Sequence, residues 1–247
     1  KGTTTLAYTV TDAVGLTARC TFTVTIIDNQ IPTARCIGVA PLALNATGNG
    51  SASPTIINNG STDNCEIASL AVSPNQFSCA NVGPVTVALV ATDGSGNSNQ
   101  CTSRLDVLAS AACTPPGIVN AGGPNIADPC TCLGNGRFAE EVVIGPANSG
   151  QAWFVQNTTL INPQTNLAYA PNTPFVEIPL GGGQSRYVLQ GVHLDGVGYT
   201  LSAASPYWPT VTLSIGNTCS YPKPVLALSD GPFCLNSPAV TLTGDPG

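Results

Sequence analysis

The first thirty residues alternate between apolar and polar positions. Leu6, Tyr8 and Val10 are separated by Ala7 and Thr9, and Phe22, Val24 and Ile26 by Thr23 and Thr25. A period of two marks β-strands with one face buried and one face wet. Between the two runs lies Thr11-Asp12-Ala13-Val14-Gly15. Asp and Gly there suit a tight hairpin turn with positive φ. The same pattern returns over Gly83 to Val107, where Asp12 falls on Asp93, Gly15 on Gly96 and Cys20 on Cys101, at a constant offset of 81 residues. Val85, Val87 and Leu89 are then expected to face inward, followed by Leu105 and Val107. A period of this size fits a small β-sandwich of several short strands.

Beyond Ala111 the pattern changes. Residues 111–129 are rich in Pro and Gly and include Cys113. Strand-like runs follow at Phe138 to Ile144, Gln151 to Gln156, Phe175 to Leu180, Tyr187 to His193 and Thr210 to Ile215. Gly, Asn and Pro turns separate them, as in a second β-sandwich.

Composition sharpens this picture. Of 247 residues only 8% are charged, with 7 Lys and Arg against 13 Asp and Glu. No basic stripe exists to neutralise phosphates, so nucleic acid is excluded as a partner, and so is a polybasic membrane contact. No apolar run reaches the roughly 18 residues a membrane-spanning helix needs. Helix formers are scarce, whereas β-branched residues and turn formers abound. With 10 Cys, 21 Pro and 26 Gly, the chain reads as secreted, disulfide-bonded and all-β.

The repeated piece resembles the hyalin repeat (HYR) module. The residues that carry the resemblance are the aligned segments Gly2 to Val24 and Gly83 to Val107, the Thr62-Asp63-Asn64-Cys65 segment, and Asp28 to Cys36 with its D-x-x-x-P-x-x-x-C spacing. The resemblance implies an immunoglobulin-like β-sandwich, of the kind found in long secreted bacterial surface proteins, with no catalytic residues to transfer. Residues 120–132 and Gly150 to Phe154 resemble the opening of a second sandwich type found beside such repeats. Four segments follow: 1–28 as the C-terminal part of one HYR-like module, 29–110 as a complete one, 111–222 as a second-type sandwich, and 223–247 as the first strands of a further Ig-like module. The expected architecture is a tandem, extended array of disulfide-stapled modules.

On that resemblance Cys36 is expected to join Cys101, and Cys65 to join Cys79. Cys113, Cys130, Cys132 and Cys219 are left to the third module. Cys130 and Cys132 take different partners there, and which ones stays open. Cys20 stands where Cys101 does, so its partner is expected upstream of Lys1, and that of Cys234 beyond Gly247. The chain is read as a window on a longer repeat protein. In the alternative, segments 1–28 and 223–247 are completed by neighbouring molecules through strand complementation.

Candidate chemistry is sparse. A Cys113, Cys130, Cys132 zinc cluster lacks the usual C-x₂₋₄-C spacing, and His193 is the single histidine. His193 is expected at a strand edge near the surface. Glu140 and Glu141 are adjacent, so on a strand they point to opposite faces and cannot flank one glycosidic bond; both are expected in solvent, as is Glu177. No G-x-S-x-G, H-E-x-x-H or P-loop is present, and no enzyme activity and no cofactor are expected. Calcium is the one cation to weigh, with Asp28 and Asp93 as candidate ligands, but acids are few and Asx turns account for them more simply. Trp153, Tyr187, Tyr199, Tyr207 and Trp208 are expected mostly in the core; exposed, Trp153 and Trp208 would form a glycan-stacking platform. Asn45, Asn49, Asn59 and Asn157 stand in N-x-S/T sequences. Only Lys1 and Lys223 could supply a Lys–Asn isopeptide staple, and both lie at module boundaries. The function expected is structural: extension of a surface filament or repetitive adhesin, with neighbouring modules or copies as partners. The rival reading is a glycan-binding module.

Overall fold

The computed structural model describes residues 1–121, 131–134, 136–209 and 212–217. Among them the chain is all-β, with only a one-turn helix α1 (Pro54–Ile57) and a short 3-10 turn at Cys79–Asn81. No helix in the described residues is long and apolar enough to cross a membrane.

The repeat appears directly as two hairpins. β1 (Gly2–Thr11) pairs antiparallel with β2 (Thr17–Ile26) in full register, Leu6 opposite Phe22 and Tyr8 opposite Cys20. Between the two hairpins come β3 (Val39–Ala43), β4 (Asn49–Ser51), β5 (Ile67–Ser73) and β6 (Gln76–Ser78). The second hairpin is β7 (Gly83–Asp93) and β8 (Ser98–Leu108). A four-stranded sheet has the order β3-β8-β7-β5, and β4 pairs with β6 in a two-stranded one. The chain divides into two compact units. One holds Lys1–Ala40, Ala52–Asn75 and Val87–Ser103; the other holds Pro41–Ser51, Gln76–Thr86 and the described residues from Arg104 onward.

In the first unit, β5 and β7 pair from Ile67 opposite Asp93 to Ser73 opposite Ala88. Ile57, Val87, Leu89 and Ala91 are buried there. Val87 and Leu89 are inward positions that alternation assigns to β7, although Val85, the third, is only half-buried. Cys36 and Cys101 are joined, with Cα atoms 5.8 Å apart.

Among its described residues the second unit contains a two-sheet sandwich. One of its sheets is built on β11 (Arg137–Asn148) and β14 (Gln184–Leu194), flanked by β13 (Val176–Gly181). β9 (Ile118–Asn120) and β10 (Thr131–Gly134) lie end to end along the free edge of β11. The opposing sheet is β12 (Phe154–Thr158), β15 (Tyr199–Ala204) and β16 (Thr212–Asn217). The rings of His193 on β14 and Tyr199 on β15 meet at 5.8 Å across the interior. Val142, Val143 and Ile144 are buried in succession, so β11 is covered on both faces. The strand Tyr199–Ala204 is absent from the sequence reading, because its alternation is carried by small residues of weak contrast.

Two pairings expected from sequence are corrected. Cys79 bonds Cys113, not Cys65, and Cys113 therefore does not serve the third module. The 3-10 turn and the strap at residues 109–113 bring the Cα atoms of Cys79 and Cys113 to 5.3 Å, inside the range a disulfide needs. Among the described residues Cys20 and Cys65 are free thiols, both exposed. Cys130, Cys219, Cys234 and the 223–247 segment lie outside the described residues, as does the side chain of Cys132.

Candidate functional site

A seam within the second unit locks the end of β7 and β8 to the second sandwich. The strand ends carry backbone groups that their own sheet leaves unpaired, and buried groups of that kind must find partners. Asn148, at the end of β11, donates its amide to Ala80 O at 2.7 Å and to Val82 O at 2.9 Å. Gln151 Nε2 donates to the same Val82 carbonyl at 2.6 Å. Trp208 Nε1 donates to Gln151 Oε1 at 3.0 Å. Val82, Gln151 and Trp208 are all buried. The chain Trp208–Gln151–Val82 is thus a dry, fully used relay in which each member orients the next.

Glycine is required on both sides. Gly83 (φ +122°) places its backbone where a Cβ would meet Gln151 Cγ at 3.1 Å, and a Cβ on Gly150 (φ +79°) would lie 2.7 Å from Pro84. Both carry positive φ, which an L side chain tolerates poorly. On the β8 side, Ala109 N donates to Tyr207 O at 2.8 Å and Tyr207 OH to Asp106 Oδ1 at 3.3 Å. The Cys79–Cys113 bridge ties the strap to the same strand ends.

Charge at the seam is handled locally. Glu177 is exposed, as expected, yet it accepts from Gly150 N at 2.8 Å, Ser185 Oγ at 2.7 Å and Tyr187 OH at 3.3 Å. Desolvation works to raise its pKa, but these bonds outweigh it and hold the carboxyl below its ordinary value. Burial, then the Glu177 charge, pushes the Tyr187 hydroxyl well above its usual range. Burial, then Asp106, raises Tyr207. Both phenols stay neutral donors at physiological pH.

The other candidate residues fall elsewhere. Trp153, Tyr187, Tyr199, Tyr207 and Trp208 are all buried, which removes the proposed glycan-stacking platform. The expectation of a surface histidine is corrected: His193 is buried, its Nε2 2.8 Å from Glu140 Oε1, and its ring stacks on Phe138. Glu140 is buried too, not solvated, and its second oxygen accepts from Asn120 Nδ2. Register explains this: Phe138 lies opposite His193, and Glu140 two residues on shares their inward face. Glu141 points outward to Gln190. A buried carboxylate finds a partner in the one imidazole available.

Of the calcium candidates, Asp93 is buried and its carboxylate accepts from Ser95 N at 2.7 Å, Asn97 N at 2.9 Å and Asn97 Nδ2 at 2.8 Å. Those bonds make an Asx turn. Asp28 accepts from Gln30 N and Ser95 Oγ, and groups with Asp63 and Cys65, all ligand atoms within 4.8 Å of one another; Asp93 is not in that group. Desolvation first, then hydrogen bonding and charge from Asp28, raise the Cys65 thiol, and its soft sulfur does not suit a hard cation such as calcium. The structure does not bring Asp28 and Asp93 together as ligands.

Sequence reading missed the seam residues Asn148, Asp106 and Tyr207 in this role. The only available signal was the Gly150 to Phe154 motif, which contains Gln151. Asn and Gln side chains carry no periodicity that marks which backbone they serve.

No family model and no curated protein matches the chain. Among solved structures, it is similar to a protocadherin gamma B7 fragment of extracellular cadherin domains 1–4, at 14% identity and a TM-score of 0.30, covering 89% of this chain and 57% of that one. It is also similar to the human desmocollin-1 ectodomain, at 15% identity and a TM-score of 0.26, covering 85% of this chain and 41% of that one. The chain spans less than two thirds of the length of either.

Proposed function

We propose that this chain is a structural segment of a secreted bacterial surface filament or long repetitive adhesin, built from HYR-like and second-type sandwiches. Its work is mechanical continuity. The observation that carries this reading is the seam in which half-buried Asn148 and buried Gln151, itself held by buried Trp208, clasp the carbonyl of buried Val82. A flexible, charged linker would suit independent domains. Here the passage is short, hydrogen-bonded and bridged by Cys79–Cys113, so tension passes from strand to strand. The two disulfides support an oxidising, extracellular setting. Low charge favours contact between neighbouring modules or copies over repulsion.

The test is immunogold electron microscopy of intact source cells. Gold on extracellular fibres or long surface projections is expected; gold confined to the cytosol overturns the reading. Single-molecule pulling checks the mechanics. Reducing both bridges should lengthen the unfolding extension by roughly 220 Å, from the 65-residue separation of Cys36 and Cys101 at about 3.4 Å per residue.

A further inference from the structure

The β1–β2 hairpin shows one face that has no business in water. Because directly opposed residues share a face, Leu6 with Phe22, Tyr8 with Cys20 and Val10 with Ala18 form a single apolar surface. No charged residue stands on it. The other face is Thr3, Thr5, Thr9 and Thr11 against Thr25, Thr23, Arg19 and Thr17. The hairpin therefore has an inside and an outside, but its inside is exposed: Tyr8 is 62% accessible and Phe22 51%.

The β7–β8 hairpin says what belongs there. The turns are superposable in chemistry. Asp12 Oδ1 accepts from Val14 N and Leu16 N, each at 2.9 Å, just as Asp93 accepts from Ser95 N and Asn97 N. Gly15 and Gly96 have φ of +87° and +91°. At the offset of 81, Leu6 becomes Val87, Tyr8 becomes Leu89, Val24 becomes Leu105 and Ile26 becomes Val107, and all four of these counterparts are buried. In that copy the residues ahead of the hairpin supply β3 to β6 and α1; β5 flanks β7, β3 flanks β8, and Cys36 bonds Cys101. Cys20, the counterpart of Cys101, is a free, exposed thiol on the apolar face.

We propose that the apolar face of β1–β2 is the docking site for a half-sandwich of the residue 29–82 kind, carried ahead of Lys1 in the same polypeptide, with a cysteine that bonds Cys20. The occupant is a β-segment with alternating apolar positions and a cysteine at the place of Cys36. In bond formation the two thiols lose two protons and two electrons to a small-molecule disulfide, which leaves as two thiols. The inference rests on the repeat and not on the filament reading, which can fail without it.

The experiment extends the full chain. A second copy of residues 29–81 is placed ahead of Lys1, keeping its counterpart of Cys36 and replacing its other cysteines by serine, and the protein is oxidised with oxidised glutathione. Peptide mapping should find Cys20 bonded to the added cysteine and closed to iodoacetamide. Amide exchange over residues 2–26 should slow on the order of tenfold or more. Phe22→Asp in the extended chain should undo both effects, and Thr23→Asp on the outer face should undo neither. The proposal is overturned if Cys20 stays as reactive as in the original chain with exchange unchanged, or if an added segment of scrambled order protects equally. It is also overturned if the original chain associates with itself and thereby shields Cys20, because the cover is then a second copy.

Discussion

Two hairpins of one design, β1–β2 and β7–β8, differ in what surrounds them. Their strands, their Asx turns and their inward positions correspond, yet Leu89 is fully buried where Tyr8 is 62% exposed. Local sequence is enough to make the ladder and the turn, because both depend on backbone hydrogen bonds and on Asp and Gly at fixed positions. It is not enough to bury the face, because burial needs a second layer. An apolar face thus records what the hairpin is built for, and its exposure records what is not beside it.

The largest expected contrast lies in the cysteines. Replacing Cys36 and Cys101 by serine should lower stability by about 4 kcal/mol, the chain-entropy value of a loop of this length, while Cys20→Ser should leave the urea midpoint unchanged. Next, Leu89→Ala should cost about 2–5 kcal/mol in urea unfolding, from lost burial and a cavity, whereas Tyr8→Ala at the matching position should stay within about 0.5 kcal/mol. Equal losses at the two sites would mean that the first hairpin is covered in solution. Third, among the described residues the seam follows β7–β8 and not β1–β2. Gln151→Ala leaves Trp208 Nε1 unpaired in the interior and removes one of the two donors to Val82 O, and should cost about 1–3 kcal/mol in urea unfolding while amide exchange in the first hairpin stays unchanged.

The smallest contrast is in acid. Burial acts to raise Asp93, but hydrogen bonds from the Asn97 side chain and the backbone of Ser95, Asn97 and Gly96 lower it below the usual carboxylate value. A depressed folded pKa gives stability that is fully present above the unfolded value, about 3.9, and is lost as pH falls through the lower folded value. The native protein should therefore lose stability below about pH 4 more steeply than Asp93→Asn does, as read by urea midpoints across that range.

Much of this was legible from residues 1–110. The offset of 81, the alternating strands and the Asp–Gly turns are local signals, and local signals survive in a single sequence. Cysteine pairing was legible only in part. Cys36 and Cys101 sit at corresponding ends of the repeat, but Cys79 meets Cys113 because a 3-10 turn and a strap converge, which no spacing announces. The second sandwich was read strand by strand without its chemistry. His193 and Glu140 looked like surface residues because polar residues usually are, and only the register of β11 on β14 sets them face to face inside.

By itself the sequence determined the all-β class, the repeated hairpin and which face of its strands is apolar, since these follow from backbone sterics and period-two alternation. The tertiary structure decided which apolar faces are covered, which thiols meet, and that Val82 shares its carbonyl with Asn148 and Gln151 from a distant strand end. Those outcomes depend on which groups lose water together, and residues far apart in the chain share that fate only once the layers have packed.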